Sequence, residues 1–179
     1  MSVYHDAIIA GFGGQGVMLT GNLLALAGMH AGLKVTYLPV YGPEMRGGTA
    51  NCTVVFSSED IGSPIIRRPL STIIMNQPSL EKFQPALKDN GLQVINSSLV
   101  DPKLALSRVR TVPVAANDIA DSLGNQKMAN MVAIGAYIKA SQVLPLDVVI
   151  ASLPFAIASR YHHLIAKNAE AIKAGYEAV

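Results

Sequence analysis

Gly11-Phe12-Gly13-Gly14-Gln15-Gly16 packs four glycines and one amide into six residues, directly after the apolar run Val3 to Ala10 and directly before an amphipathic stretch. A glycine-rich turn between a strand and a helix is where an α/β protein binds anions. The backbone there can approach a ligand closely, and the helix start offers unpaired N–H groups and a partial positive charge. Gln15 adds a side-chain amide at the mouth of the turn, able to donate to an oxyanion or to a neighbouring backbone without a countercharge. Gly11, Gly13 and Gly16 also satisfy the spacing of the dinucleotide fingerprint. A dinucleotide site needs a carboxylate at the end of the second strand to take the ribose hydroxyls. The second strand ends in Thr36-Tyr37-Leu38-Pro39, and after Asp6 the next acid is Glu44. The nicotinamide reading fails there, which leaves another anionic ligand or a turn that serves only the packing of helix on strand.

A second cluster of chemistry-bearing residues lies in Tyr41-Gly42-Pro43-Glu44-Met45-Arg46-Gly47-Gly48, a loop by its breakers. Glu44 and Arg46 can bridge to a neighbouring subunit, where arginine offers a planar fork to carboxylate or phosphate; the alternative is a solvated ion pair of little energetic value. Cys52 stands alone, so it excludes an internal disulfide and cannot by itself hold an iron–sulfur cluster or structural zinc. In the alternating segment Asn51 to Phe56 it reads as a small buried hydrophobe. His5 reads as a surface residue ahead of the first strand, and His162-His163 lacks a third metal ligand at a convincing spacing. No catalytic residue and no metal site are assigned.

The elements that must position these residues alternate between strand and helix. Tyr4 to Ala10 reads as a buried strand, Gly16 to Ala31 as a helix stopped by Gly32, and Lys34 to Pro39 as a second strand, completing one βαβ unit. Strand character returns over Thr49 to Ser57, Ile61 to Arg68 suggests a short hairpin arm, and Thr72 to Asn76 is a further apolar strand. Pro78 to Lys88 reads as a helix, followed by strands over Leu92 to Asn96 and Thr111 to Val114. Asn117 is expected to cap a short helix through Leu123, Asn125 to Leu144 to form a long one punctuated by Gly135, and the tail from Leu146 to be helical with a break at Pro154. The expected fold is a single α/β domain over residues 1–179, Rossmann-like, with a mostly parallel sheet flanked by helices and a helical C-terminal end.

Composition narrows the function classes. Charged residues make up 15% of the 179 residues, against about 25% in an ordinary soluble domain, and mean hydropathy is +0.34. Such a chain is either membrane-embedded or covered by partners. Its apolar runs are short or broken, as Ser152 and Pro154 break Asp147 to Ser159, and the N-terminus lacks the basic start of a signal peptide. A cytoplasmic subunit of a larger assembly is the expectation, with no membrane role. A net charge of +2, evenly scattered, gives no nucleic-acid surface.

Taken together, Gly11 to Gly16, Tyr41 to Gly48, and Gly124-Asn125 with Asn130-Met131 resemble the gamma subunit of the 2-oxoacid:ferredoxin (acceptor) oxidoreductases, in order and spacing over nearly the whole chain. The resemblance implies a complex that decarboxylates a 2-oxoacid on thiamine diphosphate with Mg, passes electrons through 4Fe-4S clusters to ferredoxin, and transfers the acyl group to coenzyme A. It further implies alpha, beta and, in some assemblies, delta subunits as partners. Neither cluster cysteines nor a Gly-Asp-Gly thiamine motif occurs in this sequence, so those cofactors are expected in other subunits and the isolated chain is expected to be inactive.

Carried over by position, Gly11, Gly13, Gly14, Gln15 and Gly16 would face the coenzyme A region, with their amides available to a phosphate or a partner. Glu44, Arg46, Gly47, Gly48 and Asn130 would lie at the interface or cleft, Asn130 placed to bond across to the glycine loop or to cap a neighbour. Tyr41 to Gly48 with Thr49-Ala50-Asn51-Cys52-Thr53 looks closer to the 2-oxoglutarate and branched-chain members than to pyruvate enzymes. The alternatives are a subunit of the related indolepyruvate oxidoreductase and a freestanding nucleotide- or CoA-binding module.

Overall fold

The computed structural model describes residues 3–40 and 49–179. Six strands, β1 (Tyr4–Phe12), β2 (Lys34–Val40), β3 (Thr49–Ser57), β4 (Ser71–Ile74), β5 (Leu92–Asn96) and β6 (Arg110–Val114), form one sheet in the order β2-β3-β1-β4-β5-β6. The β1–β4, β4–β5 and β5–β6 ladders are parallel, whereas β3 runs antiparallel to both β1 and β2. The expected βαβ unit is thereby corrected: β2 follows β1 through a helix, but β3 occupies the place beside β1.

From β1 the chain crosses to one side of the sheet, and from β4 it moves to the other. The ends of β1 and β4 are therefore a topological switch point, the place where open α/β sheets leave a crevice. Both faces of the central strands are covered, as parallel strands require. On β1, Ala7 and Ile9 join the main core while Ile8 and Ala10 join a smaller cluster with Ile74, Leu80, Ile95 and Val100.

The main core lies under helices α1 (Val17–His30), α4 (Ala129–Ser141) and α7 (Ile165–Glu177), and α2 (Gln77–Phe83) covers the other face with Leu80. Shorter helices α3 (Ala116–Ser122), α5 (Leu146–Ala151) and α6 (Leu153–Ala156) complete the set among the described residues. None of these is long and apolar enough to cross a membrane.

Helix α4 is apolar all round, and every residue from Ala129 to Ile138 is buried. A helix of that kind needs cover on all sides. The sheet supplies one side and α7 another, at a separation set by two glycines: a Cβ on Gly135 would overlap the carbonyl oxygen of Ile172, and one on Gly175 would overlap that of Val132.

Several expected boundaries shift for local reasons. Residues 61–68 form no hairpin arm but an irregular segment. The expected Pro78 to Lys88 helix ends at Phe83 and continues only as a 3₁₀ turn over Gln84–Ala86, where Pro85 removes a donor. The long helix expected from Asn125 to Leu144 is a 3₁₀ turn at Gln126–Met128 followed by α4, which stops where Gln142 turns left-handed at φ 53°. Asn117 lies inside α3 rather than capping it; Asn96, at the end of β5, accepts from the Ala116 N–H at 3.1 Å instead.

The α4–α7 contact gives a sharp test. Gly135→Ala should raise helix propensity by about 1 kcal/mol, yet overpacking against the α7 backbone should outweigh it, for a net loss of roughly 1–3 kcal/mol in urea unfolding. A midpoint that holds or rises would mean that the helices do not meet there.

Candidate functional site

The glycine loop caps the switch point, and Gln15 fixes its shape. The Gln15 Oε1 accepts from the Phe12 N–H at 2.6 Å and from Asn76 Nδ2 at 3.3 Å, while its Nε2 donates to the Met75 carbonyl at 3.2 Å. The Gln15 N–H closes the turn on the Phe12 carbonyl at 3.2 Å. Of the two uses open to this amide, the structure adopts bonding to neighbouring backbone: Gln15 ties the turn after β1 to the end of β4. Gly11 has no room for a side chain beneath it, since a Cβ would stand 2.7 Å from Gln15 Oε1 and 2.9 Å from Met75 Cβ.

Gly14 and Gly16 adopt φ values of 93° and 74°, a region costly for other residues. Gly16 is the N-cap of α1 and brings no side chain to bond the first-turn amides, and that turn carries no acid. The Gly16 carbonyl collects three donors: the Thr20 N–H at 2.9 Å, Thr20 Oγ1 at 3.0 Å and Asn130 Nδ2 at 3.5 Å. Asn130, 4% exposed at the start of α4, thus meets the glycine loop as its position suggested.

Beside the loop lies a cleft of about 220 Å³ whose lining includes Gly14, Gln15, Asn117, Gln126, Lys127 and Asn130. It includes the loop ahead of α1 and the first residues of α3 and α4; the Ala116 and Asp118 N–H groups of α3 are taken by Asn96 Oδ1 at 3.1 Å and Ser98 Oγ at 3.3 Å, and Asp118 stands in that first turn, while the start of α1 faces the other side of the loop. Lys127 is the cation in the lining, and no carboxylate belongs to it. The remaining side chains are neutral amides held in place: Asn117 Oδ1 accepts from Asn96 Nδ2 at 2.7 Å, and Gln126 Nε2 donates to Asp121 at 3.1 Å. Chemically the cleft suits a phosphate or another oxyanion and offers no general base or nucleophile. On the far side of the loop, Phe12, Gly13, Val17, Met18, Leu19 and Ala50 line a more apolar hollow of about 270 Å³.

Glu44, Arg46, Gly47 and Gly48 lie outside the described residues. Lys127, Gln126 and Asn76 were not singled out from sequence; the Asn76-Gln77-Pro78 cap-and-proline signal could have found Asn76, whose Oδ1 accepts from the Ser79 N–H at 2.9 Å. Cys52 is fully buried beneath α1, and burial pushes its thiol up to about 12. It packs as a small hydrophobe, as expected. His162 Nε2 sits 3.1 Å from the Pro154 carbonyl and 2.9 Å from that of Ile157, and no group of three metal-ligating side chains occurs among the described residues.

His5 corrects an expectation. It belongs to β1 and is half-buried, with Nε2 2.9 Å from Tyr137 Oη and 3.1 Å from Ser71 Oγ. Burial lowers its pKa, against an opposing pull from Asp6.

The structure also explains why the dinucleotide spacing misleads. In such domains the second strand lies beside the first and delivers its acid to the ribose. Here β3 stands in that place, and β2 is displaced to the sheet edge.

Comparison with known proteins agrees with this geometry. Residues 6–178 match the family model described as pyruvate ferredoxin/flavodoxin oxidoreductase. The chain is 41% identical over 127 residues to the ketoisovalerate oxidoreductase subunit VorA of Methanothermobacter thermautotrophicus, an alignment covering 71% of this chain and 26% of that relative. The chain thus spans about a quarter of the length of VorA. It is 33% identical over 143 residues to the 2-oxoglutarate synthase subunit KorC of Methanothermobacter marburgensis, covering 76% of this chain and 77% of KorC. The gamma subunit of a keto/oxoacid ferredoxin oxidoreductase from Geobacter sulfurreducens shares the fold, with a TM-score of 0.82 at 24% identity, covering 97% of this chain and 96% of that one.

The bracing of the loop by α4 is open to a double-mutant cycle. Gly16→Ala forces alanine into a left-handed conformation, costing about 1–2 kcal/mol, and also drives a Cβ to 2.5 Å from Asn130 Nδ2. In an Asn130→Ala background the clash disappears and the conformational cost stays, so the two substitutions should couple by about 1 kcal/mol in denaturant unfolding. Strict additivity would dissolve the proposed contact.

Proposed function

The chain belongs to the pyruvate ferredoxin/flavodoxin oxidoreductase family, and from that premise we propose that it is the gamma subunit of a complex that converts a 2-oxoacid and coenzyme A to an acyl-CoA while reducing ferredoxin. The observation that supports the reading is the cleft at the glycine loop, whose lining holds Lys127, the side-chain amides of Gln15, Asn117, Gln126 and Asn130, and no carboxylate. That donor set fits the phosphate groups of coenzyme A. Gly14 lets the backbone come close, and Lys127 with the side-chain amides would take the charge.

The other implied cofactors do not fit this chain. Its single cysteine is buried with a raised thiol pKa, so it offers no thiolate to iron. Thiamine diphosphate with Mg, and the 4Fe-4S clusters, are assigned to the alpha, beta or delta subunits. The gamma chain contributes no bond-making group; it binds and orients the acyl acceptor and closes the cleft against its partners. Similarity to a ketoisovalerate and a 2-oxoglutarate subunit supports a branched-chain 2-oxoacid or 2-oxoglutarate as the substrate. Glu44, Arg46, Gly47 and Gly48 are assigned to the contact with a partner or with the ligand.

The chain should copurify from its native cell with thiamine- and cluster-bearing subunits and show no turnover alone. Arg46→Ala should leave its fold intact but weaken assembly or raise the coenzyme A concentration needed for half-maximal rate. A solitary monomer that binds coenzyme A at micromolar concentration would favour a freestanding module instead. Activity of the complex confined to indolepyruvate would move the substrate to that relative.

A further inference from the structure

At the opposite end of the sheet from the glycine loop, where β1, β4, β5 and β6 begin, a second cleft of about 250 Å³ is lined by His5, Lys88, Asp89, Arg110 and Ser141 with aliphatic walls from Leu70 and Leu92. Its charge is unbalanced. Asp89 is engaged by Arg108 Nη1 at 2.8 Å. Asp6, the other acid near His5, projects from the opposite face of β1 and accepts from the Leu70 N–H at 2.7 Å. Among the described residues, neither Lys88 nor Arg110 meets a carboxylate. Arg110 spends one donor on the Ala140 carbonyl at 3.1 Å, at the end of α4, which holds its guanidinium in place and leaves the rest of the fork.

His5 supplies the third element. Its Nε2 is committed to Tyr137 and Ser71, and the Ser71 hydroxyl donates to the Asp6 carbonyl at 2.7 Å. The ring is thus fixed by two fully buried hydroxyl groups, and among the described residues the hydrogen bonds of its side chain are made by Nε2. We propose that this cleft is a second binding site, for a small oxyanion of the carboxylate or phosphate class, held between Lys88, Arg110 and the Nδ1 edge of His5. The proposal is independent of the coenzyme A reading of the glycine loop.

Ligand and proton are linked at such a site. A protonated His5 can donate from Nε2 to the Tyr137 or Ser71 oxygen and from Nδ1 to the anion. Burial disfavours that charge in the free chain, with Asp6 opposing; Lys88, Asp89 and Arg110 are the other charged groups in the lining of the cleft. A bound anion reverses the balance and raises the pKa of His5. Affinity should accordingly strengthen as pH falls through the titration range of His5, with proton uptake on binding.

The full-length chain would be titrated at constant ionic strength with inorganic phosphate and, separately, with succinate, following the histidine ring signals by NMR and the heat of binding in two buffers. A saturable shift of the His5 signals with proton uptake is expected; saturation by phosphate alone or by succinate alone would assign the class. Lys88→Gln should weaken binding about tenfold, the loss of one charge-assisted contact. Arg110→Gln also loses its bond to α4, so Lys88→Gln is the deciding variant. His5→Gln should retain binding at alkaline pH but lose its pH dependence. No saturable His5 shift with either anion, or equal affinity in Lys88→Gln, overturns the site.

Discussion

Burial of α4 is the constraint on which the rest of the structure depends. A helix with no polar stripe cannot face water, so it is enclosed by the sheet and by α7, and the close backbone approach at Gly135 and Gly175 is what makes that enclosure tight. Its interior polar groups must then find partners, since an unmet buried donor or acceptor costs about 1–3 kcal/mol. Asn130 at one end reaches the Gly16 carbonyl, and Tyr137 near the other reaches His5 and Ser71. The position of the glycine loop is therefore set partly by a helix more than a hundred residues away in sequence.

The same logic governs the charge of the glycine-loop cleft. Gln15 joins the end of β1 to the end of β4, Asn76 and Asn96 join the ends of β4 and β5 to the helices that follow, and all three are neutral amides. Aspartate or glutamate could cap these helix starts as well, but would cancel the partial positive charge the dipoles bring. With amides in these roles, Lys127 is the charged side chain in the lining of the cleft and no carboxylate belongs to it.

Much of the fold was legible because strand signals here are short apolar runs bounded by glycine, proline or asparagine; all six strands fall where those runs lie. The sheet order was not legible, because nothing in Thr49 to Ser57 announces insertion beside β1. His5 was misread for a related reason: one polar residue at a strand end looks solvated until Tyr137 and Ser71 arrive from elsewhere in the chain. The glycine loop could be placed from sequence, whereas the direction of the Gln15 amide depends on Met75 and Asn76 and could not. Asn130 shows the limit from the other side: its bond to Gly16 followed from motif order, not from helix periodicity.

Volume bears on how such a site could work. Pockets that enclose a whole cofactor or drug-sized ligand run to about 300–1,000 Å³, and the polar cleft here holds about 220 Å³. It can seat a phosphate group and its immediate neighbours, not a ligand of coenzyme A size. The rest of such a ligand must lie along adjoining surface, and the apolar hollow of about 270 Å³ across the loop, with exposed Phe12 at its rim, is of the kind that a partner covers. Low overall charge, a cleft with Lys127 and no carboxylate, and an apolar flank fit the proposed role of a chain that supplies part of the wall of a site completed by its neighbours.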